Sequence, residues 1–293
     1  MTSPTWPTIP NTFLALDPDE HSLARSKVVI LPVPYDATTS YRSGARDGPA
    51  AIIRTSHELE DFDPELETNA TGIGIYTAPA IEPHAGGPEA MAARVSEAVG
   101  WYAAHEKLVG MIGGDHSLTP GAVHALAEHF HDLSILVFDA HADMREEYQS
   151  TAYGHASASR RAFDHAPVTL VGVRSISEED STFVREHNIP IFMRWAEPIA
   201  DVDAIIGGLS KNVYVSFDLD AFDPSIMAAV GTPEPGGMEW WEALRILRAV
   251  AEQRTIVGFD VMELAPGEGP EAGAFTAAKL VYKLIAYATS LPQ

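Results

Sequence analysis

Short runs of β-branched and apolar residues recur along the chain at 27–33, 108–112, 133–138, 168–173, 212–217 and 255–259. Their length and their Gly, Pro and Asp flanks predict buried strands. Around them the apolar positions return every three to four residues at 119–130, 177–187, 238–251 and 276–290, which predicts amphipathic helices. Strands that alternate with helices predict a mainly parallel sheet with helices packed on its faces. Periodicity leaves two closures open, an open sheet and an eight-stranded barrel, because both gather function at the C-terminal ends of their strands. No repeat, low-complexity segment or long linker interrupts the pattern. With 293 residues and 46% hydrophobic content, the chain is expected to form one domain over 1–293. Residues 1–25 read as an N-terminal extension, expected to pack on that domain or on a neighbouring subunit.

The residues with the richest chemistry stand just after predicted strands. GGDHS (113–117) follows Ile112, DAHAD (139–143) follows Phe138, DLD (218–220) follows Phe217, and Asp260 and Glu263 follow Phe259. Parallel strands place such positions along one edge, so four strand ends are expected to converge. In DAHAD, two carboxylates and an imidazole at alternate positions point the same way if the segment is extended. Alone, that triplet in an acidic chain is equally a solvated turn. DLD repeats the spacing and His116 adds a second imidazole, which gives six candidate ligands: His116, Asp139, His141, Asp143, Asp218 and Asp220. Carboxylates buried without cations are costly or become protonated, so bound metal is expected, and two divalent ions would offset four negative charges. Oxygen-rich sites with some imidazole suit Mn²⁺ better than structural zinc. Gly113 and Gly114 are expected to permit a tight turn through backbone conformations other residues resist, and no phosphate loop accompanies them. Of 12 histidines, only His116, His141 and His155 are candidates for chemistry.

Composition narrows the partners. The 41 acidic and 19 basic residues give a net charge of -22, which repels nucleic acid and anionic lipid and tolerates a cationic small molecule. Solubility alone could account for the excess, since exposed charge is screened beyond about 8 to 10 Å. The chain has no cysteine, which excludes disulfides, thiolate nucleophiles and Cys-ligated metal. It lacks a basic and apolar leader and any apolar run of about 18 residues, so a cytoplasmic location with no membrane partner is expected.

GGDHS, DAHAD, SFDLDAFDP (216–224), GTPEPGG (231–237) and GFDVMELAP (258–266) occur in the order and context of the ureohydrolases, the family of arginase and agmatinase. With PYDATTSYRSGARDGPAAIIRTS (34–56) and FTAAKLVYKL (275–284), the chain resembles bacterial and archaeal agmatinases over nearly its whole length. The resemblance implies an open, doubly wound α/β sheet, mainly parallel, with helices on both faces in three layers, in a homo-oligomer that is a trimer or hexamer. It implies two Mn²⁺ per subunit, with Asp139 and Asp218 bridging both, His116 and Asp143 completing one, and His141 and Asp220 the other. It also implies that Glu263 receives the substrate guanidinium and that His155, in YGHASASRRA, is an acid or proton shuttle. Asp143, Glu263 and His155 are thus counted as catalytic, and Glu263 and His155 as substrate-binding. The bland alternatives are a peripheral acid for Glu263, a loop histidine for His155 and a structural role for Asp260.

The implied reaction is hydrolysis of a guanidino compound, agmatine and water giving putrescine and urea, by attack of a hydroxide that bridges the two Mn ions. Metal coordination lowers the pKa of water from 15.7 to about 7, and a carboxylate matches the planar fork of a guanidinium. Arginases hold the amino-acid head of their substrate with an Asn and a Ser-Gly-Asn loop, where this chain reads MREEYQSTAYGH (144–155). Their GLRDVD is GVRSIS here, with Ser175 and Ser177 in place of acids. Glu146 and Glu147 are expected to repel a substrate carboxylate and tolerate an amine, so agmatine fits best, with its amine partner unassigned. Guanidinobutyrate, guanidinopropionate and guanidine stay open, and so do arginine and formimidoylglutamate, the last with Arg145 as a candidate anchor. Outside these lie a mononuclear deacetylase-like enzyme, which needs only one metal, and a silent polyamine-binding subunit, which predicts a lost ligand or a lost Glu263.

Overall fold

The computed structural model describes residues 6–195 and 197–291. The start of the expected N-terminal extension (1–5), and positions 196, 292 and 293 of the expected 1–293 domain, lie outside the described residues. Eight strands form a single sheet: β1 Val28–Val33, β2 Ile75–Thr77, β3 Leu108–Gly113, β4 Leu133–Phe138, β5 Val168–Val171, β6 Ile191–Phe192, β7 Asn212–Asp218 and β8 Thr255–Met262. Their order is β2-β1-β3-β8-β7-β4-β5-β6 and every pairing is parallel. Because β2 and β6 are free edges, the sheet is open, and the barrel left open by periodicity is excluded.

The helices are α1 Gly48–Ser56, α2 Pro88–Ala104, α3 Thr119–His129, α4 Ala158–Phe163, α5 Glu178–Glu186, α6 Val202–Gly207, α7 Trp240–Gln253 and α8 Ala272–Ser290. Alternation along the strands divides them into two layers. Val28 and Ile30 of β1 pack into one core with residues of α1, α6, α7 and α8, while Val29, Leu31 and Val33 pack into another with α2, α3, α4 and α5. Successive side chains of a strand leave opposite faces, so a fully apolar β1 requires cover on both sides, as in the doubly wound sheet that the resemblance implies.

Local chemistry sets several boundaries. Ser177 caps α5 by accepting the Asp180 N–H at 3.1 Å, and Asp180 returns a bond to the Ser177 N–H at 3.3 Å, a reciprocal box that starts the helix. Phe13 is fully buried, and the amides of Phe13 and Leu14 donate to Thr77 at 2.8 Å and Ser56 at 2.7 Å, which ties the described part of the N-terminal segment to β2 and α1. No helix among the described residues is long and apolar enough to cross a membrane.

Two expectations change at strand ends. The strand expected to stop at Phe259 runs on to Met262, so Asp260 lies inside β8 and only Glu263 follows it. The edge strands β2 and β6, of three and two residues, are too short to make a pattern and were not anticipated.

Candidate metal centre

In the sheet order, β3, β8, β7 and β4 are four adjacent central strands. Their C-terminal ends carry His116, Glu263, Asp218 with Asp220, and Asp139 through Asp143, so residues spread over the chain meet at one rim. Ligand atoms of His116, Asp139 and Asp218 lie within 4.8 Å of one another, and so do those of Asp139, His141 and Asp220. Asp139 is common to both groups, and Asp143 Oδ2 stands 3.4 Å from His116 Nδ1. All six expected ligands are therefore brought together.

Four of the carboxylates are held by backbone N–H groups through one oxygen, and the second oxygen of Asp220 also accepts the Thr232 hydroxyl at 3.3 Å. Asp139 Oδ1 accepts the His141 N–H at 2.6 Å, and Asp218 Oδ1 accepts the Asp220 N–H at 2.8 Å. Asp220 Oδ1 accepts the Ala140 N–H at 3.0 Å, and Glu263 Oε1 accepts the His116 N–H at 2.7 Å. Spacing by two thus works through Asx-type turns and not through an extended segment. Asp143 in fact has φ 51°. Glu263 has φ 68°, so two site residues occupy the left-handed region that side chains resist, a strain typical of functional positions.

His116 is the decisive residue. Its Nε2 lies 2.9 Å from Ser216 Oγ, and Ser216 gives its own proton to Asp260 at 2.8 Å. Ser216 can therefore only accept, which places hydrogen on Nε2 and, in the neutral ring that a cation would bind, leaves Nδ1 as a lone pair. That nitrogen faces Asp139 Oδ2 at 3.2 Å, Asp143 Oδ2 at 3.4 Å and Asp218 Oδ2 at 3.4 Å, all acceptors. His116 Nδ1 and Asp139 Oδ2 are buried with no hydrogen-bond partner. Donors of His116, Asp139 and Asp218 that lie mutually within 4.8 Å, with Asp143 beside His116, fit a cation. Asp260 is the structural support of this arrangement, also accepting from Thr119 at 2.7 Å and Tyr214 at 2.8 Å.

Electrostatics point the same way. Burial, then Asp220 and Asp139, push the Asp218 pKa well above the carboxylate range, and burial with Asp218 and Asp115 does the same to Glu263. Burial works against a charge on His116, but Asp139, Asp143 and Asp218 overcome it and hold its pKa well above normal. Burial likewise opposes charge on His141, and Asp220 with Asp139 raises its pKa strongly. The cluster demands positive charge, which protons supply in part and divalent cations would supply fully.

A cleft of about 290 Å³ opens over this rim, lined by His141, Asp143, Asp218, Asp220, Glu263 and His155 among others. His155 contacts Thr38 and Ser40, which follow β1. Gly114 matters through close approach, because a Cβ there would lie 1.6 Å from the Tyr35 carbonyl oxygen. Neither Gly113 nor Gly114 has a positive φ, so the expected reason for the pair was wrong.

The substrate end of the cleft differs from expectation. Glu146 is engaged by Arg160 at 2.5 Å and Arg161 at 3.2 Å, and neither Glu146 nor Glu147 lines the cleft. Ser177 lines it but serves as the α5 cap. Asp180, the partner of that cap and not singled out by the sequence, lines the cleft with Oδ1 buried and unpartnered. Arg145 also lines it, its guanidinium 5.0 Å from the Tyr148 ring centre.

The sequence model of the Arginase family matches residues 26–286. An N(1)-aminopropylagmatine ureohydrolase of Synechocystis sp. is 37% identical over 278 residues, 91% of this chain and 90% of that protein. An agmatinase of Pyrococcus horikoshii is 32% identical over 268 residues, 88% of this chain and 90% of that protein. Among solved structures, the proclavaminate amidino hydrolase of Streptomyces clavuligerus has TM-score 0.88 at 28% identity, covering 99% of this chain and 100% of that one.

Proposed function

The chain belongs to the arginase family, and from that premise we propose a metal-dependent hydrolase that splits a cationic guanidino compound into urea and an amine, with agmatine or its N-aminopropyl derivative as substrate. One observation carries the metal dependence: His116 Nδ1 and three carboxylate oxygens face one another within 3.4 Å of that nitrogen, and His116 Nδ1 and Asp139 Oδ2 are buried without a hydrogen-bond partner. We assign His116, Asp139, Asp143 and Asp218 to one ion and His141, Asp139, Asp218 and Asp220 to the other, with Mn²⁺ favoured by this donor set. Two such ions, when bound, supply hydroxide at neutral pH by lowering the pKa of water.

The chain's own side chains do the rest. Glu263, tied through Oε1 to the His116 amide, receives the guanidinium and holds its carbon over the rim, and the cation in turn restores the ionised carboxylate that burial and Asp218 disfavour. His155, in the same cleft, carries a proton to the departing amine. The free Oδ1 of Asp180 is the partner for the substrate's ammonium, since a buried carboxylate oxygen without a donor gains most from a charged one. The aminopropyl derivative carries one more amine than agmatine, and its hydrolysis is the activity named for the Synechocystis relative.

A second reading is a guanidino acid, favoured by Arg145, which lines the cleft and has no carboxylate partner among the described residues. Urea release from Mn²⁺-loaded protein on N-aminopropylagmatine, agmatine, arginine and 4-guanidinobutyrate decides between them. The amines are expected to exceed the acids in kcat/KM by at least about tenfold, the cost of desolvating a poorly matched charge. A preference for the acids would move the role from Asp180 to Arg145, and no urea from any compound would refute the hydrolase. Assembly as a trimer or hexamer and a cytoplasmic location belong to the same proposal, with sedimentation and cell fractionation as their tests.

A further inference from the structure

We propose that Thr38 is a positioning residue: anchored on Asp115, its hydroxyl fixes His155 as the Nδ1–H tautomer and presents Nε2 as the basic nitrogen of the cleft. The inference rests on the reading of His155 as proton carrier, and it concerns residues outside the metal ligand set.

Asp115 is fully buried in the turn after β3. Its Oδ2 accepts both the Thr38 N–H at 2.8 Å and the Thr38 hydroxyl at 2.9 Å. The Thr38 hydroxyl donates to Asp115 Oδ2, the oxygen that also takes its amide N–H, so its only proton is committed there. Thr38 Oγ1 then has only lone pairs to offer. One receives the His155 backbone N–H at 3.0 Å, and the His155 ring approaches with Nδ1 at 3.4 Å. A hydroxyl in this state cannot donate to Nδ1, so that nitrogen carries the hydrogen.

The other face of the ring agrees. His155 Nε2 lies 3.2 Å from Ser40 Oγ, and Ser40 is free to donate because no other bond engages its hydroxyl among the described residues. Nε2 is then the unprotonated nitrogen, on a residue that lines the cleft. Nε2 gives up its hydrogen bond from Ser40 to take the proton released as water adds to the guanidinium carbon, and returns that proton to the departing amine, while Nδ1 stays on Thr38. Both anchors of the ring come from the loop after β1, and Asp115 Oδ1 meanwhile binds Ser117. One carboxylate thus fastens the turn that carries His116 and the loop that aims His155, which keeps acid and metal rim in register.

The test pairs a spectrum with kinetics. Long-range ¹H–¹⁵N correlation of ¹⁵N-histidine protein, metal-free and Mg²⁺-loaded, with His155 assigned through His155→Asn, should show Nδ1 protonated and Nε2 bare in the neutral ring. Thr38→Val should abolish that preference and lower kcat for the best guanidine by about tenfold to a hundredfold, part of what a positioned proton carrier contributes. KM and bound Mn²⁺ should stay within about twofold, and Thr38→Ser should restore both tautomer and kcat, because it keeps the hydroxyl. An Nε2–H tautomer in the native protein overturns the inference, and that measurement stands even if Thr38→Val fails to fold. Unchanged kcat in Thr38→Val, or a Thr38→Ser as poor as the valine variant, overturns it too. Should native protein release no urea from any guanidine, the hydrolase reading fails while the tautomer result still judges the Thr38 contact.

Discussion

Lys283 is buried on α8 with its ammonium 2.7 Å from Asp63 and 2.5 Å from Glu65, and Glu65 also takes Arg248 at 3.0 Å and the Tyr287 hydroxyl at 2.8 Å. At the strand ends, Asp139, Asp143, Asp218, Asp220 and Glu263 meet two imidazoles, and no Lys or Arg ion pair reaches them among the described residues. Burial acts on both clusters, with opposite outcomes. It raises the Asp63 and Glu65 pKa values, but Lys283 more than offsets it and both end below the normal range. At the rim burial is reinforced by neighbouring carboxylates, and Asp218 and Glu263 end well above it. The chain supplies counter-charge where charge serves the fold and withholds it where a ligand is to supply it, so partner accounting separates a structural cluster from a functional one.

Substitutions that exchange the fates of the two clusters test this contrast. Asp218→Asn should lower urea release by about a thousandfold or more, roughly 4 kcal/mol of transition-state stabilisation, and bound metal should fall with it. Stability of the metal-free protein should hold or rise, since an uncompensated buried carboxylate is removed. Wild-type metal content and activity would overturn the ligand assignment. Lys283→Met should do the reverse. It strands two acids and should cost about 3 kcal/mol of unfolding free energy, the low end for a broken buried pair because the Glu65 side chain is 24% exposed. Bound metal and KM should not move. A stability change under about 1 kcal/mol would show that solvent already compensates the cluster.

How much of this was legible depends on the range of the cause. The strand ends at Ile112, Phe138 and Phe217 announce their candidate ligands locally, because an apolar run followed by Asp or His is a contiguous signal. The adjacency of those ends is not local. It follows from the order β3-β8-β7-β4, which no stretch of sequence encodes. Gly114 was assigned the wrong reason because its neighbour, the Tyr35 carbonyl, comes from another strand end. Glu146 was misplaced in the same way, since Arg160 and Arg161 turn it from the cleft. Asp180 was hidden by its own local sense: S-x-x-D reads as a helix start, and nothing in that local pattern shows that the residue also lines the cleft.

Asp180 sharpens the contrast within the cleft itself, being a buried acid with one oxygen used and one open. Asp180→Asn keeps an oxygen for the Ser177 N–H and puts an amide NH₂ where the free oxygen stood. The bond lost is one to a charged group, worth about 1.5 to 3 kcal/mol. The kcat/KM for agmatine should therefore fall by roughly tenfold to a hundredfold, chiefly through KM, while butylguanidine, which has no amine, should change by less than about twofold. The ratio of the two substrates is insensitive to any general loss of folded protein. Equal losses on both would remove Asp180 from substrate binding.

The smallest effect expected is in the acid stability of the paired cluster. Asp63 and Glu65 have ordinary values of 3.8 and 4.5, and in the fold burial raises them but Lys283 and its hydrogen bonds lower them further, so both end depressed. A depressed folded pKa contributes stability that is complete above the unfolded value and is lost as pH falls through the folded one. The contribution is therefore intact at pH 7 and declines only below about pH 4.5. Acid also protonates the rim and releases metal there, which would mask the effect in one protein. The difference between wild type and Lys283→Met cancels that common loss. Denaturant unfolding of the two metal-free proteins at pH 7, 5, 4 and 3 should give a gap that is largest at pH 7 and narrows toward pH 3, because acids stranded without the ammonium take up protons more readily than the paired ones. A gap that stays constant to pH 3 would mean that Lys283 stabilises α8 through packing of its stem and not through Asp63 and Glu65, and the two clusters would then differ in burial alone.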